Sequence, residues 1–342
     1  MSNVMRNYLM GLVRYAMVCG IAAAMSAGVA SAQEKVTLRI GTFVNKIDIR
    51  YSGLQHFADL VNKKTDGRVT IQIFDSGSLH PFDKPIDSIL GGVSDISPLA
   101  AAGIDKRLPC ALITQFLPLA VDWSRIVELD QEYDDILDEE YGKIGLKIIL
   151  SQDASYDQEW WFRGTPTKVD ELNGKLVRSV GPVITHVIQR FGGKPVFISP
   201  TETYQSAERG VVDVINMGVS TFSSWKLWTV MPNMVRANMF YSNVTYAINK
   251  AKFDKLRPED QKAILEAGIE AAKWTTPRYQ AWIDEQVGGA AMRSGATITN
   301  VSKAERLRLI NKAAEGWNDQ IDKACGPQMG PKVRAVFKKY EG

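Results

Sequence analysis

The sequence predicts an α/β protein made of two units, and three observations predict it. Strands and helices alternate from residue 36, the pattern of a sheet covered by helices. The alternation ends near residue 150 and begins again at residue 175. A chain of 342 residues is also too long for one ordinary core and suits two domains.

The elements follow in order. Residues 36–44 (VTLRIGTFV) are β-rich and alternate, so they read as a strand. Residues 49–64 carry Leu54, Phe57, Ala58 and Val61 at helical spacing and stop at Asp66-Gly67. Residues 68–74 (RVTIQIF) are a second strand, and Ser76-Gly77-Ser78 a turn. A short helix is expected over 83–92 and a mostly buried segment over 108–119. Residues 123–145 form an acidic amphipathic helix before a strand at 146–150. In the second unit, strands are expected at 175–180, 194–198 and 211–215, with helices at 182–191 and 201–209. A long alternating strand covers 239–248. Residues 257–294 are the longest helical stretch. Pro258 suits a first helical position, and Glu259 and Asp260 favour the helix dipole. Pro277 lies inside this stretch and predicts a kink or break. A strand at 296–301 and helices at 304–324 and 330–340 close the chain.

The first 32 residues predict export. Arg6 and Arg14 precede a small apolar run at 15–29, which ends in Ala30-Ser31-Ala32, the pattern a signal peptidase cuts after. The run is about 15 residues, short of the roughly 20 a membrane span needs. The mature chain is therefore expected from about Gln33, in the periplasm, where there is no ATP. No later stretch is apolar enough to span a membrane. The leader removes two of the 41 basic residues and none of the 38 acidic ones. The near-neutral remainder has no nucleic-acid footprint.

Cys110 and Cys325 remain after cleavage. An oxidising compartment permits a disulfide between them; two separate buried thiols are the alternative. His56, His80 and His186 lack metal-binding spacing. The chain has no H-E-x-x-H, G-x-S-x-G, P-loop, C-x-x-C or dinucleotide fingerprint. No metal and no cofactor is expected, and the simple enzyme readings are removed.

One stretch carries a resemblance. DELNGKLVR (170–178), FGGKPV (191–196), ETYQSAERGVVD (202–213), and NK (249–250) with FDKL (253–256) and PEDQ (258–261) follow one another in the order of a known pattern. That pattern is D-L-x-G-x-K-I-R, G-A-x-P-V, and E-x-Y-x-A-L-x-x-G-x-V-D running into a long helix. It resembles the dicarboxylate-binding (DctP-like) periplasmic solute-binding proteins of tripartite ATP-independent periplasmic (TRAP) transporters. SGSL (76–79) and GGVSD (91–95) agree more weakly. The resemblance implies a two-domain clamshell with hinge strands and a long helix bracing both domains. It places 33–153 plus about 246–285 in the first domain and 154–245 plus about 286–342 in the second. It also implies capture of an organic acid in the cleft and delivery to a membrane permease.

The resemblance gives Arg178 the role of pairing with the ligand carboxylate, and the chemistry suits it. Guanidinium is planar, always charged, and offers a fork that matches a carboxylate. Arg163, after Trp160-Trp161-Phe162, stands where a second basic residue would serve, although only 15 residues before Arg178. The run VDVINMG (212–218) has Met217 where the pattern usually has Asn, with Asn216 one place early; a one-residue offset on a strand turns a side chain to the other face. Trp161, Trp225 and Phe240 fall in segments expected near the cleft. Asn45, with Lys46, Asp48 and Arg50, follows the first strand, where α/β sites form.

The sequence reading is therefore a monomeric binding protein rather than an enzyme, with TRAP permease subunits and a small organic acid as partners. The aromatic and sulfur-rich candidates favour a monocarboxylate with an apolar or aromatic body over a C4-dicarboxylate. A binding protein of an ATP-driven importer is the second reading. A periplasmic enzyme is the third, and it lacks an acid/base cluster near Arg178.

Overall fold

The computed structural model describes residues 35–100, 103–155, 158–295 and 297–342. The expected leader lies outside the described residues. The first half runs β1 (Val36–Gly41), α1 (Ile49–Lys64), β2 (Val69–Phe74), α2 (Pro85–Leu90), β3 (Ile96–Leu99), α3 (Pro109–Thr114), β4 (Leu117–Pro118), α4 (Ile126–Lys143) and β5 (Leu146–Ser155). Next come β6 (Gln158–Phe162), β7 (Leu176–Ser179), α5 (Pro182–Arg190), β8 (Lys194–Phe197), α6 (Thr203–Glu208), β9 (Val214–Gly218), α7 (Val219–Ser224) and β10 (Asn233–Arg236). The chain closes with β11 (Phe240–Asn249), α8 (Lys250–Phe253), α9 (Pro258–Ser294), β12 (Ile298–Asn300), α10 (Lys303–Ala314) and α11 (Trp317–Lys339). No helix among the described residues is long and apolar enough to cross a membrane.

These elements form two mixed six-stranded sheets. The first has the order β2-β1-β3-β11-β4, with β5 also paired to β11. The second has the order β12-β10-β6-β9-β7-β8. β5 belongs to the first sheet and leads directly towards β6 of the second. β10 of the second sheet reaches β11 of the first within a few residues. β5 and β11 pair antiparallel from Ser242↔Ser155 to Asn249↔Leu146. The two strands where the chain changes sheet therefore lie side by side.

Local chemistry explains the helix ends. The Asp48 side chain caps α1 by accepting from the Arg50 backbone N–H, and Lys63 and Lys64 occupy its last turn, both favourable placements. Leu54, Phe57 and Val61 of α1 are fully buried, each stabilising by about 1.5–3 kcal/mol. Ser302 caps α10 through the Glu305 N–H, a Ser-x-x-Glu start.

α9 packs on α1 and β5 in its first part. Further along, Tyr279, Ile283 and Val287 enter the core that covers one face of the second sheet. The helix runs through Pro277 without the break that the sequence suggested. At about 1.5 Å per residue its length is roughly 55 Å, enough to lie along both sheets.

Three further elements differ from the sequence reading. β9 lies three residues later than expected, at Val214–Gly218. The closing helices at 304–324 and 330–340 are α10 and α11, and α11 bends at Gly326 (φ 73°). α11 also packs on α3 and α4, where Trp317, Ile321, Val333 and Phe337 join the first sheet's core, and not with the second domain as expected. Cys110 of α3 and Cys325 of α11 are joined by a disulfide across 215 residues, which ties that helix to the first half.

Gly268 marks a close approach of α9 to β5. A Cβ there would strike the Ile149 carbonyl oxygen and also meet the Leu150 Cα at 3.5 Å. Both are backbone atoms and neither can turn away. Gly268→Ala is therefore expected to destabilise the protein by about 1–3 kcal/mol as an overpacked contact. A lowered urea midpoint at unchanged slope checks this; an unchanged midpoint would show that the helix slides without cost.

Candidate functional site

The carboxyl ends of β7 and β9 in the second sheet face the first half of β11 and the loops after β1 and β3 in the first. A cavity of about 50 Å³ lies there, room for a few water-sized groups in this conformation. Phe43, Phe82, Phe116, Val180, Pro200, Met217 and Val244 supply apolar walls. Arg50, Arg178, Gln158 and Thr221 supply polar ones. Phe43 and Phe82 meet edge to face with centroids 5.0 Å apart.

Arg178 sits on β7 between its parallel neighbours β8 and β9. Its side chain is 1% exposed. Nε donates to the Ile198 carbonyl at 3.0 Å and Nη1 to the Asn216 carbonyl at 2.9 Å. One acceptor follows the end of β8 and the other lies within β9, so the sheet itself aims the guanidinium. Nη2 is buried and has no partner among the described residues. Burial without a facing carboxylate lowers its pKa to about 9, because desolvation disfavours the charged form.

The second cation in the cavity is neutralised. Arg50, at the start of α1, donates Nε to Asp48 Oδ1 at 2.9 Å and Nη2 to Asp48 Oδ2 at 2.6 Å. The same Nη2 reaches Thr221 Oγ1 of α7 at 2.7 Å. The Ser224 hydroxyl donates to Asp48 Oδ2 at 3.3 Å, and Asn45 Nδ2 to the Ser224 carbonyl at 3.1 Å. The loop after β1 and the first turn of α1 are thus bonded to α7 by three separate polar contacts.

The sequence candidates divide. Arg178 and Met217 line the cavity. Asn216 holds Arg178 through its backbone carbonyl, while its side-chain Nδ2 donates to the Glu159 carbonyl at 3.4 Å. Asn45 reaches Ser224 and does not line the cavity. Trp161 is buried in the core, stacked on Phe222 with centroids 3.3 Å apart, and donates to the Met217 carbonyl. Trp225 packs half-buried at the rim of the same core. Phe240 packs beside Trp160 in the opposite core. Arg163 is exposed, and its guanidinium bonds the Ala207 carbonyl. The expectation of a second cleft cation at 163 is therefore corrected. Along β6 the residue that reaches the cavity is Gln158, five positions earlier.

The sequence reading missed Phe43, Phe82, Phe116, Gln158 and Tyr279. Arg50 was noticed only as part of a loop. The one signal that could have raised it is the spacing Asp48-x-Arg50 at a helix start, where an N-cap carboxylate can hold an arginine two residues on.

Residues 40–323 match the family described as bacterial extracellular solute-binding protein, family 7. The chain belongs to that family. A curated relative, the 2,3-diketo-L-gulonate-binding periplasmic protein of Escherichia coli, is 24% identical over 264 residues, covering 77% of this chain and 80% of its own. A TRAP periplasmic solute-binding protein from Desulfovibrio salexigens, solved with bound orotic acid, superposes with TM-score 0.82 at 19% identity. It covers 90% of this chain and 99% of its own. The Bordetella pertussis receptor DctP7, which binds pyroglutamic acid, gives TM-score 0.79 at 18% identity over 89% and 99%. The fold is that of two-domain TRAP receptors. Family 7 proteins of this kind are extracytoplasmic receptors for small organic acids that work with a membrane permease.

Behind the cavity wall of this family 7 protein, α4 presses two carboxylates onto β11. Asp130 accepts from the Tyr241 hydroxyl and from Asn243 Nδ2. Asp134 accepts from the Thr245 hydroxyl at 3.4 Å. Burial raises the Asp130 pKa well above its ordinary value, and the charge of Asp134 adds to this. Burial likewise pushes Asp134 up to about 7.

Two outcomes are expected. Arg178→Met removes an unpaired buried cation, and such charges are costly to bury. The ligand-free variant is expected to melt no lower than wild type while losing ligand binding. A large fall in ligand-free melting temperature would show that the two carbonyl bonds outweigh the charge. The second outcome concerns Asp134. An acid whose folded pKa is raised contributes stability that is full below its unfolded pKa, near 4, and is lost as pH rises through the folded value. Asp134→Asn is expected to flatten the decline in urea midpoint between about pH 4 and pH 7; an unchanged slope would remove Asp134 from that decline.

Proposed function

We propose that this chain captures a small organic monocarboxylate in the cavity between its two sheets and delivers it, in the periplasm, to a TRAP permease. The observation that carries this reading is the charge count of the cavity. Among the described residues, Arg178 is the buried cavity cation without a carboxylate facing it, whereas Arg50 is held by Asp48. One uncompensated cation calls for one anionic group. A second ligand carboxylate would lose its water in a site whose other arginine is already neutralised, and an unpaired buried charge costs several kcal/mol.

The remainder of the wall fits a compact, partly apolar body. Three phenylalanines, Val180, Val244, Pro200 and Met217 line it, and each Å² of apolar ligand surface they cover contributes about 25 cal/mol. Orotic acid and pyroglutamic acid, bound by the two structural relatives, are each a single carboxylate on a small ring. They support a ligand of that size. The reading as a receptor and not an enzyme rests on the family.

Mass spectrometry of the acid carried through purification, followed by a thermal-shift panel on refolded protein, tests this. A ligand that binds only the folded state raises the melting temperature. Branched, cyclic and aromatic monocarboxylates are expected to stabilise wild type and to leave Arg178→Lys unchanged, since a point charge does not reproduce the guanidinium fork. Stabilisation by succinate and malate alone would overturn the monocarboxylate reading and favour the dicarboxylate one.

A further inference from the structure

Gln158 is the first residue of β6, paired with Gly218 at the end of β9. Both residues line the cavity, beside Met217. The Gln158 Oε1 atom is buried and has no hydrogen-bond partner among the described residues. The other polar groups of the wall are engaged. Arg50 holds Asp48 and Thr221, the Tyr279 hydroxyl donates to Ser220, and Asn243 donates to Asp130. Two buried side-chain atoms of the lining are then left without a partner: a donor, Arg178 Nη2, and an acceptor, Gln158 Oε1.

A buried polar atom without a partner is disfavoured, and of the side-chain atoms in that condition among the described residues these two line the cavity, where a ligand can reach them. The complement of this pair is a molecule that brings an acceptor to one end of the cavity and a donor to the other. We infer that Gln158 is a specificity-determining residue that reads a neutral hydrogen-bond donor on the ligand, a hydroxyl or a ring N–H close to the carboxylate. The inference rests on the proposed reading of one carboxylate at Arg178 and deepens it. The amide is uncharged, so it offers no ion pair to a second carboxylate. Its carbonyl repels carboxylate oxygens and accepts from O–H or N–H. A site built to hydrogen-bond such a group discriminates strongly against the analogue that lacks it, because the site's own polar atom is then stranded.

Calorimetry on refolded wild-type protein with matched pairs tests this: 2-hydroxyisovalerate against isovalerate, and pyroglutamate against cyclopentanecarboxylate, with succinate as a fifth probe. In at least one pair the donor-bearing acid is expected to bind at least about tenfold more tightly. Gln158→Met keeps the length of the side chain and removes the amide. It is expected to bring that ratio to within about twofold by weakening the donor-bearing acid alone. Gln158→Arg, which adds a cation, is expected to gain succinate binding. Equal affinities within both pairs for wild type, or an undiminished ratio in Gln158→Met, overturn the role of Gln158 and leave the carboxylate reading standing. Binding of succinate alone, or of none of the five probes, overturns the monocarboxylate reading and this inference with it. The wild-type pairs decide the matter even if a variant does not fold.

Discussion

The site is organised around a guanidinium buried without a carboxylate. Arg178 is held in place by two backbone carbonyls, those of Ile198 and Asn216. Carbonyl oxygens carry only partial charge, so they orient the cation without neutralising it. That balance is available because β8, β7 and β9 are adjacent in the sheet, with β7 parallel to both neighbours. Parallel strands bring their carboxyl ends to one edge, the place where α/β folds form sites. Moving Arg178 one residue along β7 would turn it to the other face of the sheet, away from the cavity. The strand register is therefore a functional constraint as much as a packing one.

The second constraint is that the cavity has walls from both sheets, so the connections between the sheets determine its shape. β5 and β11 pair from Ser242↔Ser155 to Asn249↔Leu146 at the place where the chain changes sheet, and α9 packs on β5. Asp130 and Asp134 hold β11 through Tyr241, Asn243 and Thr245, and Asn243 also lines the cavity between Ser242 and Val244. At the mouth, Asp48 and Arg50 bond to Thr221 and Ser224. These contacts are made by protein groups alone. The affinity of a ligand in such a site reflects its own contacts together with whatever these bonds contribute to the arrangement it binds, since a ligand shifts a conformational equilibrium only by its differential affinity.

Much of the fold was legible because its elements carry local signals. α1 was read with its observed bounds, since the apolar spacing at Leu54, Phe57 and Val61 coincides with a cap and a basic last turn. α9 was legible from Pro258 and its acidic first turn, and Pro277 misled only about its continuity. A single proline in a helix supported by packing on both sides removes one hydrogen bond without ending the helix. β3, β6, β10 and α7 were not read as elements. They are short and nearly uniformly buried, and for such runs periodicity is silent. The site was harder still. Arg178 could be found because a linear motif surrounds it. Phe43, Phe82, Phe116, Gln158 and Tyr279 come from separate elements and meet only after folding. No spacing in the chain announces them.

The ligand class shows how a conclusion can rest on different residues than those that first suggested it. The sequence pointed to an apolar ligand through Trp161, Trp225, Phe240 and Met217. Of these, only Met217 lines the cavity. The tryptophans are large, and large aromatic side chains serve cores before they serve ligands. Trp161 fills the space against Phe222, and Trp160 that against Phe191 and Phe240. Aromatic content therefore says little about what this receptor binds. Charge says more, because charges cannot be buried without a partner at low cost, so each buried cation must be accounted for individually. Arg50 has its partner within the chain, and Arg178 has two dipoles where a partner would be. A single negative charge completes the second arrangement, and the uncharged amide of Gln158 supplies no cation for a second.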